Sequence, residues 1–147
     1  MTCIVALETQ RGVWMGHDQL GSDGFTGAPI EAPKVFTNGP LLIGMCGSFR
    51  MGQLLQYGLH PPEESLSWDV DRWVAMDLVP AIREAFEAGG WDRINNGRAK
   101  GGSFLVAVRG RCYEVQDDYS FMRMPSGEYA VGSGTYHALG SLHTTRD

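Results

Sequence analysis

The order of strand-like and helix-like segments constrains this 147-residue sequence more than any other feature. Short runs rich in β-branched and aromatic residues come first, two helical segments follow, and further strand-like runs precede a last helical segment. Short turns such as Asn38-Gly39-Pro40 join neighbouring strand-like runs into hairpins. The order predicts an α+β fold with mostly antiparallel sheet, because a parallel sheet needs strands that alternate with helices.

Strand-like runs occur in three parts of the sequence. Residues 2–8 and 12–18 predict an N-terminal hairpin, and residues 34–47 predict a second one. Residues 19–33 contain many glycines and prolines, so they predict a loop with a short extended piece. Residues 91–102 have the composition of the most flexible part of the chain. Four further strands are predicted at residues 103–110, 111–118, 119–124 and 127–134.

Hydrophobic residues at helical spacing predict three helices. The first begins near Ser48 and places three apolar residues at that spacing, Met51, Leu54 and Leu55. The second is a long amphipathic helix over residues 68–90, which Pro80 should kink and Gly89-Gly90 should end. Its predicted apolar stripe consists of Trp73, Met76, Val79, Ile82 and Phe86. The last helix lies in residues 135–145, directly after a glycine-rich turn.

Composition narrows the class of protein. A hydrophobic fraction of 43% and a charged fraction of 20% are typical of one soluble globular domain, which we place over residues 1–147. The net charge of −5 argues against nucleic acid, and the apolar runs are too short to predict a membrane span. The three cysteines are odd in number and lie in apolar stretches, so free thiols and a cytoplasmic location are expected: Cys3, Cys46 and Cys112.

Metal and cofactor chemistry find no support in the motifs. The four histidines lack the spacing that would place two of them on one helical face beside a carboxylate, so solvated or capping roles are expected. The late Gly132-Ser133-Gly134 resembles part of a dinucleotide-binding loop, but residue 137 is His where the third glycine would stand. A tight strand-to-helix turn explains these glycines without a ligand. No metal and no cofactor are therefore expected.

Four dispersed residues could carry chemistry, although each also has an ordinary structural explanation. Thr2, Asp18, Lys34 and Ser133 read individually as a strand threonine, a turn aspartate, a solvated lysine and a helix-capping serine. Thr2 stands apart because removal of Met1 would place a hydroxyl and a free α-amine on one residue. Such a pair is a known way to activate a weak hydroxyl nucleophile. The residues alone leave both interpretations open.

The stretches "TCIVALETQRGVWMGHDQLGSDGF", "KVFTNGPLLIGMCGS" and "YAVGSGTYHALGSL" together resemble the proteasome β-subunit family, which includes the bacterial peptidase HslV. In that family an N-terminal Thr precedes an Asp that ends the second strand and a Lys that opens the next. Here Asp18 lies 16 residues after Thr2, and Lys34 lies 16 residues after Asp18. The resemblance implies a four-layer αββα sandwich of two antiparallel sheets flanked by helices, the fold of N-terminal nucleophile hydrolases, without its C-terminal part.

The resemblance also implies a role for each site residue. Thr2 would be the nucleophile of a threonine peptidase, and its α-amine, with a pKa of about 8, would be the general base. Lys34 would place a positive charge beside them, Asp18 would hold Lys34, and Ser133 would orient the proton. The Gly47 N–H would face the oxyanion. Met45 and Cys46 would line an apolar substrate pocket, which implies cleavage after large apolar residues.

Assembly and activation follow from the same resemblance. Family members form rings, which implies a homo-oligomer whose sites face a chamber, peptide or unfolded protein as substrate, and a partner ATPase by analogy. The family continues beyond the region that corresponds to Asp147, so an unpaired sheet edge is expected. The alternative is a non-catalytic assembly or shell subunit that retains Met1, because an amide at Thr2 cannot act as the base.

Overall fold

The computed structural model describes residues 2–22, 24–63, 69–91, 93–95, 98–100 and 102–145. Its first strands are β1 (Cys3–Thr9), β2 (Gly12–His17), β3 (Leu20–Ser22), β4 (Gly27–Pro29), β5 (Val35–Asn38) and β6 (Leu41–Met45). The later strands are β7 (Arg93–Asn95), β8 (Arg98–Lys100), β9 (Phe104–Val108), β10 (Arg111–Val115), β11 (Phe121–Met122) and β12 (Glu128–Gly132). The helices are α1 (Phe49–Gln53), α2 (Val70–Trp73), α3 (Val79–Ala88) and α4 (Thr135–Thr145). All strand pairs in these ranges are antiparallel.

Two sheets dominate the described part of the chain. One has the strand order β12-β1-β2, and the other has the order β11-β10-β9-β6-β5. The predicted N-terminal hairpin is confirmed, since Leu7 pairs with Trp14 in the register of β1 and β2. The hairpin around Asn38-Gly39-Pro40 is also confirmed, with Gly39 at a φ of 56°. The predicted loop at residues 19–33 contains a further small hairpin of β3 and β4.

The layers pack against each other through two clusters of buried residues. Alternate residues of β9 point to opposite faces of the five-stranded sheet, so Phe104 and Val106 pack against the helices while Leu105 faces the other sheet. α1, α2 and α3 contribute to the first cluster. The second cluster fills the space between the sheets with Ile4, Ala6, Leu105, Cys112, Tyr129 and Val131. Because α4 packs on β12 and β1, the arrangement is the predicted four-layer sandwich.

The first helix begins after Ser48 and the long helix ends at Gly89, as the sequence predicts. Each of them contains a π-helical turn, Leu54–Gly58 in the first and Val74–Leu78 in the long one. Ser48 caps α1, because its hydroxyl accepts a hydrogen bond from the Met51 N–H. Between α2 and α3, residues Val74–Leu78 form a π-helical turn, in which the Val79 N–H donates to the Val74 carbonyl. This wider turn lies directly before Pro80, which lacks an N–H and could not continue regular α-helical hydrogen bonding. The helix ends at Gly89, as predicted.

The apolar stripe of this helix differs from the prediction at one position. Met76 is 64% exposed, whereas Val74 and Leu78 are fully buried. The buried face follows a spacing of four residues, Val70, Val74, Leu78, Ile82 and Phe86. Residue 68, where the helix was predicted to begin, and four residues of the predicted flexible stretch at 91–102 lie outside the described residues. Of the helices described, none is long and apolar enough to cross a membrane.

Candidate functional site

Lys34 is the buried cation at the centre of the site. It directly precedes β5, and its side chain is only 2% exposed. Its Nζ donates hydrogen bonds to Asp18 Oδ2 at 2.8 Å, to the Leu20 carbonyl oxygen at 2.6 Å and to Thr2 Oγ1 at 3.3 Å. The three acceptors match the three protons of an ammonium group, so the buried charge is satisfied.

Asp18 fixes the start of β1 as well as Lys34. It follows β2, and its Oδ1 accepts a hydrogen bond from the Cys3 N–H at 2.7 Å. Its Oδ2 accepts from the Leu20 N–H at 2.9 Å. Burial raises the pKa of Asp18, but the hydrogen bonds from Lys34 and from the two N–H groups outweigh burial and lower the pKa to about 2. Asp18 is therefore an anion that ties three separate segments together.

Ser133 approaches Thr2 from the junction between β12 and α4. The Thr2 N–H donates to Ser133 Oγ at 3.2 Å, and the Ser133 hydroxyl donates to the Thr2 carbonyl oxygen at 3.4 Å. The Gly134 N–H donates to the same carbonyl at 3.3 Å. Gly132 has a φ of 101°, and a Cβ at this position would overlap the Thr2 carbonyl oxygen. A glycine here permits the close approach of the two backbones.

A cleft of about 300 Å³ opens beside Thr2 towards the end of β6. Its lining includes three consecutive residues, Met45, Cys46 and Gly47, and a further set: Leu20, Ser22, Lys34, Phe49, Gly132 and Ser133. A substrate-binding role for Met45 and Cys46 stays a prediction. Gly47 has a φ of 85°, which turns the backbone sharply between β6 and α1. Burial, with a smaller contribution from the charge of Glu114, raises the pKa of the Cys46 thiol. Cys46 therefore behaves as a neutral, half-buried lining residue rather than as a second nucleophile.

A second cleft, of about 410 Å³, leaves Thr2 in another direction and was not predicted from the sequence. It shares Thr2, Leu20 and Ser133 with the first cleft and continues along a different set of residues, Cys3, Asp18, Gly134 and His137. We expected only a solvated or capping role for His137. The sequence did contain a signal that His137 lies near the site, because His137 follows Ser133 by four residues across the start of a helix.

The structure thus brings the four dispersed residues into contact. Hydrogen bonds no longer than 3.4 Å join Thr2 to Lys34 and Ser133, and Lys34 to Asp18. The arrangement places the Lys34 cation beside the Thr2 hydroxyl and the Ser133 hydroxyl beside the Thr2 backbone, at the meeting point of two clefts. Such a group can stabilise negative charge on the threonine oxygen. Among the residues that the structure describes, no cluster of three His, Cys, Asp or Glu side chains could hold a metal ion.

Comparison with solved structures supports the fold. The chain matches Thiobacillus denitrificans BPH in complex with epoxomicin at a TM-score of 0.75 and 17% identity, covering 98% of this chain and 79% of BPH. It matches eukaryotic HslV from Trypanosoma brucei at a TM-score of 0.63 and 19% identity, covering 99% of this chain and 79% of HslV. The chain has an HslV-like fold. Anbu, an ancestral β-subunit from Yersinia bercovieri, also matches, with a TM-score of 0.55, 14% identity and coverage of 91% and 60%.

The similarity to HslV comes from the comparison of structures and not from the comparison of sequences. No family model matches the chain, and no curated protein matches it. The resemblance stated from the motifs is nevertheless confirmed at the level of the fold, including the antiparallel sheets and the flanking helices. The roles of individual residues rest on the geometry described above.

Proposed function

We propose that this chain is a threonine peptidase that hydrolyses peptide bonds through Thr2 after Met1 is removed. The observation that carries the proposal is the hydrogen bond from the buried Lys34 ammonium to Thr2 Oγ1. A threonine that serves only as part of a strand gains nothing from a buried cation, whose desolvation is expensive. A nucleophilic oxygen gains from the cation, because the cation lowers the free energy of the alkoxide that forms during attack.

The base in this mechanism is the α-amine of Thr2. With Met1 attached, this nitrogen is an amide and has no basic lone pair. Thr is small enough for the usual aminopeptidase to remove Met1, and the resulting amine would titrate at a pKa of about 8. It would then lie 3.2 Å from Ser133 Oγ, which gives the proton a hydrogen-bonding partner near the nucleophile.

The reaction follows two steps with one covalent intermediate. The amine accepts the hydroxyl proton of Thr2 as Oγ1 attacks the carbonyl carbon of the substrate, and the proton then passes to the departing amine as the peptide bond breaks. Water attacks the resulting ester and releases the acid. The Gly47 N–H, at the turn that lines the first cleft, would stabilise the oxyanion. Met45 and Cys46 would accept a large apolar residue on the acyl side.

Mass spectrometry and peptide hydrolysis test the proposal together. We expect the intact protein to lack one Met, and the Met-free wild type to cleave fluorogenic peptides with an apolar residue before the scissile bond. Thr2→Ala and Lys34→Ala should lower kcat/KM by more than about a hundredfold, whereas Thr37→Ala, at an exposed strand position, should leave it unchanged. Epoxomicin, the ligand of the BPH structure, should inhibit the wild type.

The competing function is a shell or assembly subunit with the same fold that retains Met1. Equal turnover by wild type, Thr2→Ala and Lys34→Ala would favour it. Absence of turnover from a Met-free wild type, even with a partner ATPase present, would favour it as well. A Met-bearing protein that gains activity only after enzymatic removal of Met1 would instead support the peptidase.

We also propose that the chain works as a homo-oligomeric ring in the cytoplasm, with its Thr2 sites facing a chamber that receives unfolded protein from a partner ATPase. The HslV-like fold of a ring-forming family supports this assembly. Light scattering at micromolar concentration should therefore give a mass several times that of the 147-residue chain. A monodisperse monomer would contradict the ring.

A further inference from the structure

We infer that the second cleft beside Thr2 is the leaving-group subsite of the proposed peptidase, and that it selects an apolar or aromatic residue directly after the scissile bond. Its outer wall is His137, on the first turn of α4. The inference rests on the proposed function. It assigns to this site a preference for the residue on the leaving-group side of the scissile bond, which the acyl pocket does not contact.

The paths of the two clefts decide which half of a substrate each one holds. Both contain Thr2, Leu20 and Ser133, so they meet at the nucleophile. The first continues to Gly47, whose N–H is the proposed oxyanion donor, and therefore holds the acyl half. The departing amine leaves the tetrahedral carbon on another side, and we assign it to the second cleft, of about 410 Å³, whose lining continues from Thr2 to His137 on α4.

The chemistry of the lining indicates what the second cleft accepts. Leu20 and Cys3 supply half-buried apolar surface, and the imidazole of His137 supplies a flat ring against which an aromatic side chain can stack. Asp18 is the anion of this lining, and its pKa of about 2 keeps it charged at neutral pH. Asp18 already pairs with Lys34 and offers an acidic leaving residue no counter-charge for the water that it loses, whereas an uncharged apolar residue would exclude water from the wall without that loss.

Peptides that share one acyl half and differ only in the residue after the scissile bond test the inference. We expect the Met-free wild type to cleave a Phe peptide at least about tenfold faster in kcat/KM than a Gly peptide, and a Glu peptide more slowly than Gly. His137→Ala should reduce the Phe-to-Gly ratio of kcat/KM about threefold or more.

Tyr136→Ala is the matched control, because Tyr136 is the preceding residue of α4, is 88% exposed and does not line the cleft. It should keep the wild-type ratio. An unchanged ratio in His137→Ala, or a wild type without preference among the three peptides, would overturn the inference while leaving the peptidase intact. Failure of the Met-free wild type to cleave any of the peptides would overturn the proposed function and this inference together. A urea-unfolding midpoint of His137→Ala close to that of the wild type shows that the variant has folded.

Discussion

Lys34 and Asp18 show how much a few residues determine in this site. The ammonium of Lys34 is removed from water and is stable only because Asp18, Leu20 and Thr2 accept its three protons. Removing one partner of such a buried pair leaves a charge without compensation, which commonly destabilises a protein by about 3–5 kcal/mol. The same hydrogen bonds that stabilise this segment also place the cation beside the threonine oxygen. Stability and the proposed chemistry thus depend on the same atoms.

Lowering the pH should weaken the ion pair between Lys34 and Asp18 and so reduce the free energy of unfolding. The pKa of Asp18 falls from 3.8 to about 2 on folding, so the unfolded chain binds a proton before the folded chain does as pH decreases. The contribution of this pKa shift to the free energy of unfolding is fully present above a pH of about 4 and is lost as pH falls towards 2. It amounts to at most about 2 kcal/mol, because solvent reaches part of the Asp18 carboxylate and screens the ion pair.

Urea unfolding between pH 2 and pH 6 measures this contribution. We expect the free-energy difference between wild type and Asp18→Asn to be constant above a pH of about 4.5 and to shrink steadily below it. Asp77→Asn, which changes an exposed aspartate on the long helix, should follow the wild type throughout. A difference between wild type and Asp18→Asn that is independent of pH would contradict the assignment.

At the scale of elements, the junction between β12 and α4 restricts the choice of residue most strongly. Gly132 has a left-handed φ, and its Cα faces the carbonyl of Thr2 so closely that no side chain fits. This contact lets Ser133 and Gly134 reach Thr2, which directly precedes β1. The glycine was predicted as part of a strand-to-helix turn, which explains its φ but not the contact with Thr2.

Two glycine substitutions separate backbone strain from steric overlap. Gly132→Ala should destabilise the chain by more than about 2 kcal/mol, because it combines a strained φ with an overlap against backbone that cannot move aside. Gly12→Ala is the control, since Gly12 has a φ of 130° and open space around its Cα. It should cost only about 1 kcal/mol. Equal losses in urea unfolding would show that the contact with Thr2 is unimportant.

The elements also show where the sequence is informative. Turn residues and alternating patterns predicted the hairpins, and Ser48 and Gly89 marked helix ends, because these signals are local. Met76 was misplaced because the helical turn before Pro80 is wider than the regular spacing assumes. The small hairpin in residues 19–33 lacked apolar alternation that could have revealed it.

The site itself was only partly predictable. Nothing local distinguishes Asp18, Lys34 or Ser133 from ordinary turn and capping residues, and Ser133 lies 131 positions from Thr2. Only the family resemblance proposed that they meet. The Asp18 contact with Cys3 and the cleft beside His137 depend on how β1, β12 and α4 pack, so the sequence pattern alone did not indicate them.

At the scale of the whole molecule, the two sheets are joined by polar contacts as well as by packing. Tyr129 on β12 is 1% exposed, and its hydroxyl donates to the Cys112 carbonyl of β10 at 2.9 Å. The same hydroxyl accepts from the Met124 N–H at 2.9 Å. Glu8 on β1 crosses the same interface, because its Oε2 accepts from the Cys112 N–H at 2.9 Å. These bonds fix the position of one sheet over the other.

Tyr129→Phe should loosen this connection without leaving a cavity. The change removes one atom, yet it leaves the partly buried Met124 N–H without its acceptor, so we expect a loss of about 1–3 kcal/mol in urea unfolding. Tyr57→Phe is the matched control, because Tyr57 is 75% exposed. It should change stability by less than about 0.5 kcal/mol. A loss no larger than that of the control would mean that the two hydrogen bonds of the Tyr129 hydroxyl contribute nothing to holding the sheets together.

The position of β1 between β2 and β12 sets an order of events during synthesis. Residues 2–18 leave the ribosome long before Ser133 and Gly134, the partners of Thr2, because Ser133 lies 131 positions after Thr2. On the proposed function, a nascent chain in which β12 has not yet paired with β1 lacks the Ser133 partner of the Thr2 nitrogen, whether or not Met1 has already been removed. Hydrolysis would then be confined to subunits in which this pairing is complete.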